Sequence, residues 1–143
     1  YLCILLGSFV LMLPLVIRWR GSADLLVKIL PAIAVMVVGF LVLAWSPTLM
    51  LFVMALLVFF VGFNYLEATL PALVSKVAPS ARRGSAMGVY SSSQFLGIFA
   101  GGSVGGVLIG LTDITTLLVV NAALLILWAG LLMALQRGSN QPK

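Results

Sequence analysis

The sequence predicts an all-α fold, a polytopic membrane bundle of five transmembrane helices, and three observations predict it. Hydrophobic residues make up 63% of the chain and charged residues 8%, against about 25% charged in soluble domains. The apolar residues fall into runs close to or above the ~20 residues that a membrane helix needs, separated by short stretches of glycine, proline and charge. When these runs are threaded alternately, all 8 lysines and arginines fall on one side, whereas the other side carries only Asp113. This positive-inside pattern puts the basic side and the C-terminus in the cytoplasm. An extra or missing span would scatter the basic residues to both sides.

Each element has a local reason. The first span, about residues 1–17, ends at Arg18-Trp19-Arg20 with Pro14 near its end, a helix meeting an interface. No basic leader region precedes it, so the chain is expected to be a fragment entered within or just before a span. Gly21 breaks the chain, Ser22 is placed to cap, and Asp24 would sit in the positive first turn of a second span, about 25–45. Lys28 is expected to snorkel to the surface. Ser46-Pro47 offers a capping hydroxyl and a helix-starting proline for the third span, about 48–75, in which Pro71 is the expected source of a kink. Residues 79–84 make a basic connection through Arg82 and Arg83. The fourth and fifth spans cover about 85–111 and 115–135, with a turn at Thr112-Asp113. Residues 1–137 thus form one helical domain. The stretch 136–143 reads as a polar, disordered end, with 138–143 a cytoplasmic tail. Arg18, Arg20, Arg82 and Arg83 are read as topology determinants.

Several function classes drop out. Cys3 is the one cysteine and there is no histidine, so the chain holds no internal disulfide, multi-cysteine metal site, His-based triad or two-histidine zinc motif. The basic residues are dispersed among apolar spans and report topology, not nucleic acid. No metal or cofactor is expected, and with no second in-span acid an intramembrane hydrolase is disfavoured. The chain is read as a non-enzyme.

The charge that does stand out is Glu67, the one carboxylate inside an apolar span. An ionised side chain in hydrocarbon costs several kcal/mol and marks an ion or substrate path. At helical spacing Asn64, Glu67, Pro71 and Ser75 share a narrow polar stripe with Ala68. Glu67 needs a polar partner, a base elsewhere, or a proton, and Glu67 with Asn64 is the candidate proton-coupling or substrate site. Tyr65, Tyr90, Ser91, Gln94 and Asn121 are candidate cavity-lining residues. Ser91 and Gln94, three apart, are expected on one face, although hydrogen bonding between or back onto helices would also account for these polar side chains. Phe52, Phe59, Phe60 and Phe63 would line an apolar pocket or simply meet lipid.

The fourth span is rich in glycine. Gly97, Gly101 and Gly105 form one four-residue ridge, and Gly102, Gly106 and Gly110 an adjacent one, a surface that lets a neighbouring helix approach closely. Such a smooth contact serves tight packing or sliding.

The run Gly88-x8-Gly97-x3-Gly101-Gly102-x2-Gly105-Gly106 resembles the glycine-rich motif G-x8-G-x3-G-P-x2-G-G of the major facilitator superfamily, with Gly102 where the motif has proline. The longer segment 62–106, including Asn64-Tyr65-Leu66-Glu67-Ala68 and Gly84-Ser85-Ala86-Met87-Gly88-Val89-Tyr90, is similar to the C-terminal half of drug and proton antiporters of that superfamily. The resemblance implies that the five spans correspond to helices eight to twelve of a twelve-helix inner-membrane transporter, a partial C-terminal domain whose N-terminal half is missing. The stretch 18–28 lacks the family's loop motif, and no gating role is carried onto it. The implied function is proton-coupled efflux of a small amphipathic or drug-like substrate by alternating access, with membrane lipid and the other half of the transporter as partners. The alternatives are a sugar or metabolite symporter and a non-transporting membrane scaffold subunit.

Overall fold

Long runs of Leu, Val, Ile and Ala have nowhere to satisfy their backbone in hydrocarbon except within a helix, and helices are what the chain forms. The computed structural model describes residues 2–19 and 25–139. Among these, α1 is Leu2–Trp19, α2 Leu25–Ala44, α3 Leu49–Val77, α4 Arg83–Leu111 and α5 Ile114–Ser139, with one 3₁₀ turn at Ser80–Arg82. No strand occurs among the described residues. Helices α2 to α5 are each long and apolar enough to cross a membrane. The apolar stretch Ile4–Pro14 of α1 is shorter, although the 18 residues of that helix reach about 27 Å at 1.5 Å per residue.

The helix ends follow local chemistry and correct the sequence expectations in three places. Thr48, not Ser46, caps α3, its hydroxyl accepting from the Leu51 N–H at 3.3 Å. The Ser46 hydroxyl turns back to donate to the Leu43 carbonyl at 3.0 Å, occupying an unpaired acceptor at the end of α2. Helix α4 begins at Arg83, two residues before the expected start, because the 3₁₀ turn winds directly into it. At the other end α5 continues to Ser139, so residues 136–139 are helical where a disordered end was expected. Gln136 and Arg137 are good helix formers, and a cation in the last turn complements the helix dipole. Asp113 caps α5, accepting from the Thr116 N–H at 2.9 Å. Its hydrogen bonds from Thr116 hold the carboxyl below its usual range. Pro14, Pro31 and Pro71 lie inside α1, α2 and α3 without interrupting them. Arg20, Gly21, Ser22 and Asp24 lie outside the described residues, as does 140–143 of the expected tail.

Helix α2 is the centre of the bundle. It packs most extensively on α3 and α5, and α1 packs on α3. The core joins Met12 of α1, Ile29, Ala32, Ile33 and Met36 of α2, and Tyr65 and Leu66 of α3. Its closest approaches occur at two glycines that the sequence reading had not singled out. A Cβ on Gly39 would lie 2.8–2.9 Å from Phe59 atoms, backbone included, and one on Gly62 would lie 2.7 Å from the Ala32 carbonyl oxygen. Phe59, seated over Gly39, also packs on Phe40 and Phe63 with ring centroids 4.6 and 6.0 Å away. Phe52 is exposed, as a lipid-facing side chain would be.

The expected close packing at the glycine surface of α4 is not made within this chain. Gly88, Gly97, Gly101, Gly102, Gly106 and Gly110 have open space where a Cβ would go, and Gly105 meets only Leu117 at 3.7 Å. No α4 residue is buried, and α4 touches α3 and α5 sparsely. The reason is geometric: α5 docks on α2, so the glycine face of α4 meets α5 only across an open groove.

Candidate functional site

Glu67 and Gln94 meet across the seam between α3 and α4. The Gln94 amide donates from Nε2 to Glu67 Oε1 at 2.9 Å. Glu67 lies ten residues before the end of α3 and Gln94 eleven after the start of α4, so each sits about 15 Å in from the same end of the bundle. That distance is half the thickness of a ~30 Å hydrocarbon layer. Around them is a cleft of about 710 Å³ walled by Met36, Phe63, Leu66, Tyr90, Ser93, Gly97 and Trp128. Glu67 remains exposed to this cleft, and the Gln94 bond occupies one of its oxygens.

The Gln94 amide can partner either form of the carboxyl. A carboxylate accepts from the Gln94 NH₂, whereas a carboxylic acid donates to the carbonyl of the same amide after rotation. The carboxyl therefore has a neutral partner in either state. Among the described residues no cluster of three His, Cys, Asp or Glu side chains could hold a metal.

The other predicted site residues divide between this cleft and elsewhere. Tyr90 lines it with Gln94. Ser91 does not, and Ser93 takes its place, because the lining row on α4 is the 90, 94, 97 series with 93 beside it. That i, i+4, i+7 spacing was available in the sequence and competed with the 91, 94 pair. Asn64 is not at the site. Its amide donates to Ser8 Oγ at 2.9 Å, and Ser8 donates to the Leu5 carbonyl at 2.9 Å, so the expected polar stripe splits. Asn64 turns to α1 and Glu67 to α4. Tyr65 is buried in the core and hydrogen-bonded to Thr69, facing a separate 240 Å³ cleft with Met12, Val16 and Lys28. Asn121 donates to the Leu117 carbonyl of its own helix at 2.8 Å, beside a groove that runs along Gly101, Gly102, Gly105 and Gly106. Arg82 and Arg83 are exposed at the start of α4. The side chain of Arg18 lies outside the described residues. Trp128, which closes the Glu67 cleft from α5, carried no local signal.

The sequence is 50% identical over 70 residues to the inner membrane transport protein YajR of Escherichia coli (strain K12), a match covering 49% of this chain and 15% of that protein. An uncharacterized transporter of Buchnera aphidicola subsp. Baizongia pistaciae is 38% identical over 76 residues, 53% of this chain and 19% of its own length. A second Buchnera transporter, from subsp. Acyrthosiphon pisum, is 42% identical over 59 residues, 41% of this chain and 15% of its own length. Each match thus spans less than a fifth of the relative. No family model and no solved structure matches. The all-α bundle of apolar helices is thus similar, over about half of the chain, to a short part of three membrane proteins named as transport proteins or transporters.

Proposed function

We propose that this chain is part of an inner-membrane secondary transporter that exports small amphipathic or drug-like compounds in exchange for protons, with Glu67 as the proton carrier. The observation that carries this reading is the Glu67–Gln94 hydrogen bond across the α3–α4 seam. An acid at midplane depth, facing a cleft and bonded to a rotatable amide, can hold or release a proton as its surroundings change. Alternating access follows when one helical group rocks against another around a midplane site, and the sparse attachment of α4 favours movement at that seam. An exported cation or polar group would compete with the proton for the same carboxylate. The remainder of the transporter supplies the opposing helices. The basic helix ends face the cytoplasm by the positive-inside rule, and the C-terminus lies there with them. No chemical change to the substrate is involved.

The test is proton release from the full-length protein in detergent on addition of tetraphenylphosphonium, comparing wild type with Glu67→Gln. Release is expected from wild type and not from the variant, with expression unchanged. Equal release from both would remove Glu67 from the coupling step. Binding without release from either would point to uniport.

A further inference from the structure

We propose that the cleft at the basic end of the bundle binds one anionic phospholipid, with Lys28 and Lys76 holding the phosphate and an apolar wall behind them receiving the acyl chains. The cleft measures about 750 Å³ and opens between α2, α3, α4 and α5. Lys28 lies three residues inside the start of α2 and Lys76 one residue before the end of α3, so both side chains stem from the headgroup level of a spanning bundle. Leu73, Val74, Trp128 and Leu132 continue the lining, and Leu73 is already one turn deeper than Lys76. Two cations at the rim and an apolar wall leading inward match an amphiphile with an anionic head.

The charge at the rim is uncompensated among the described residues. Glu67 lies nine residues before Lys76 and is bonded to Gln94. Asp113 caps α5 at the opposite end of the bundle, and Asp24 lies outside the described residues. Basic pockets between transmembrane helices select anionic lipid headgroups, and each lysine near the surface contributes roughly fivefold in affinity. A free phosphate would use the lysines but leave the wall empty, and a zwitterionic lipid would fill the wall without using the net charge.

The experiment is native mass spectrometry of delipidated full-length protein titrated with phosphatidylglycerol, with phosphatidylcholine of the same chains, and with inorganic phosphate. One phosphatidylglycerol is expected to be retained by wild type, about thirtyfold more weakly by K28Q/K76Q, and normally by K28R/K76R. Equal retention of the two lipids by wild type, undiminished phosphatidylglycerol binding by K28Q/K76Q, or displacement of the lipid by phosphate alone would overturn the proposal. Leu73→Trp provides a second reading should the lysine variant fail to fold. It fills the wall with the charges intact, so lost phosphatidylglycerol binding supports the site and unchanged binding refutes it.

Discussion

Ser8 has no exposed surface and is the one buried polar side chain among the described residues. Its hydroxyl accepts from Asn64 while donating to Leu5, which makes it the polar tie between α1 and α3. Hydrogen bonds between membrane helices contribute about 0.6 kcal/mol on average and up to about 1.7. Asn64→Ala should therefore lower stability in a detergent-unfolding titration by roughly that amount while sparing the proton release proposed for Glu67. Loss of coupling with the fold intact would return Asn64 to the transport site. Asp113 carries a pH prediction. Its carboxyl titrates lower in the folded protein than when free, because Thr116 hydrogen-bonds it. Its contribution to stability is thus complete above the ordinary carboxylate range and is lost as pH falls through the lowered value. Asp113→Ala should flatten that part of an acid-unfolding profile. Glu67 stands out in the sequence because one acid in a long apolar run is visible without a structure. The sequence did not reveal that Asn64, a turn earlier, bonds in another direction, since that depends on where α1 lies.

At the scale of helices, the two kinds of glycine predict opposite outcomes. A methyl group at position 62 would press on the Ala32 carbonyl and Met36, and overpacking of this kind costs about 1–3 kcal/mol. Gly62→Ala should lower thermal stability accordingly. Gly101 has open space around it, so Gly101→Ala should leave the fold intact and gain up to about 1 kcal/mol of helix propensity. If α4 slides against a helix of the remaining transporter, that same variant should slow transport without unfolding the protein. Normal transport by Gly101→Ala would show that the face needs no close partner. Helix existence was legible because apolar run length and breakers such as Pro47 and Pro79 set it locally. Which glycines are crowded was not, because ridge spacing in α4 records the capacity for close approach and the partner is chosen by packing between distant segments. Gly39 and Gly62 stand alone in their helices and show no repeat.

For the whole molecule, orientation can be tested with single cysteines in a Cys3→Ala background. A cysteine at position 137 should label only from the cytoplasmic side and one at 113 only from the other. The reverse result would invert the bundle and move the lysine-rimmed cleft to the outer leaflet. The up-and-down order of helices was readable from the chain, because eight basic residues partition cleanly under it. The central place of α2 was not readable, since all five helices are apolar and hydropathy does not rank their partners.

That centrality has a consequence for biosynthesis. The core residues of α1, α2 and α3 have all been synthesised by Val77, but α5, which fills the remaining side of α2, ends 62 residues later. At 5–20 residues per second the ribosome needs about 3–12 s to supply them. During that interval the nascent bundle presents one flank of α2 to whatever the insertion machinery offers. Helix α4, the least hydropathic of the four long spans at 1.6, must enter the bilayer before its neighbour α5 exists. A pause in translation just after α4 should therefore be the point at which this chain depends most on an insertase.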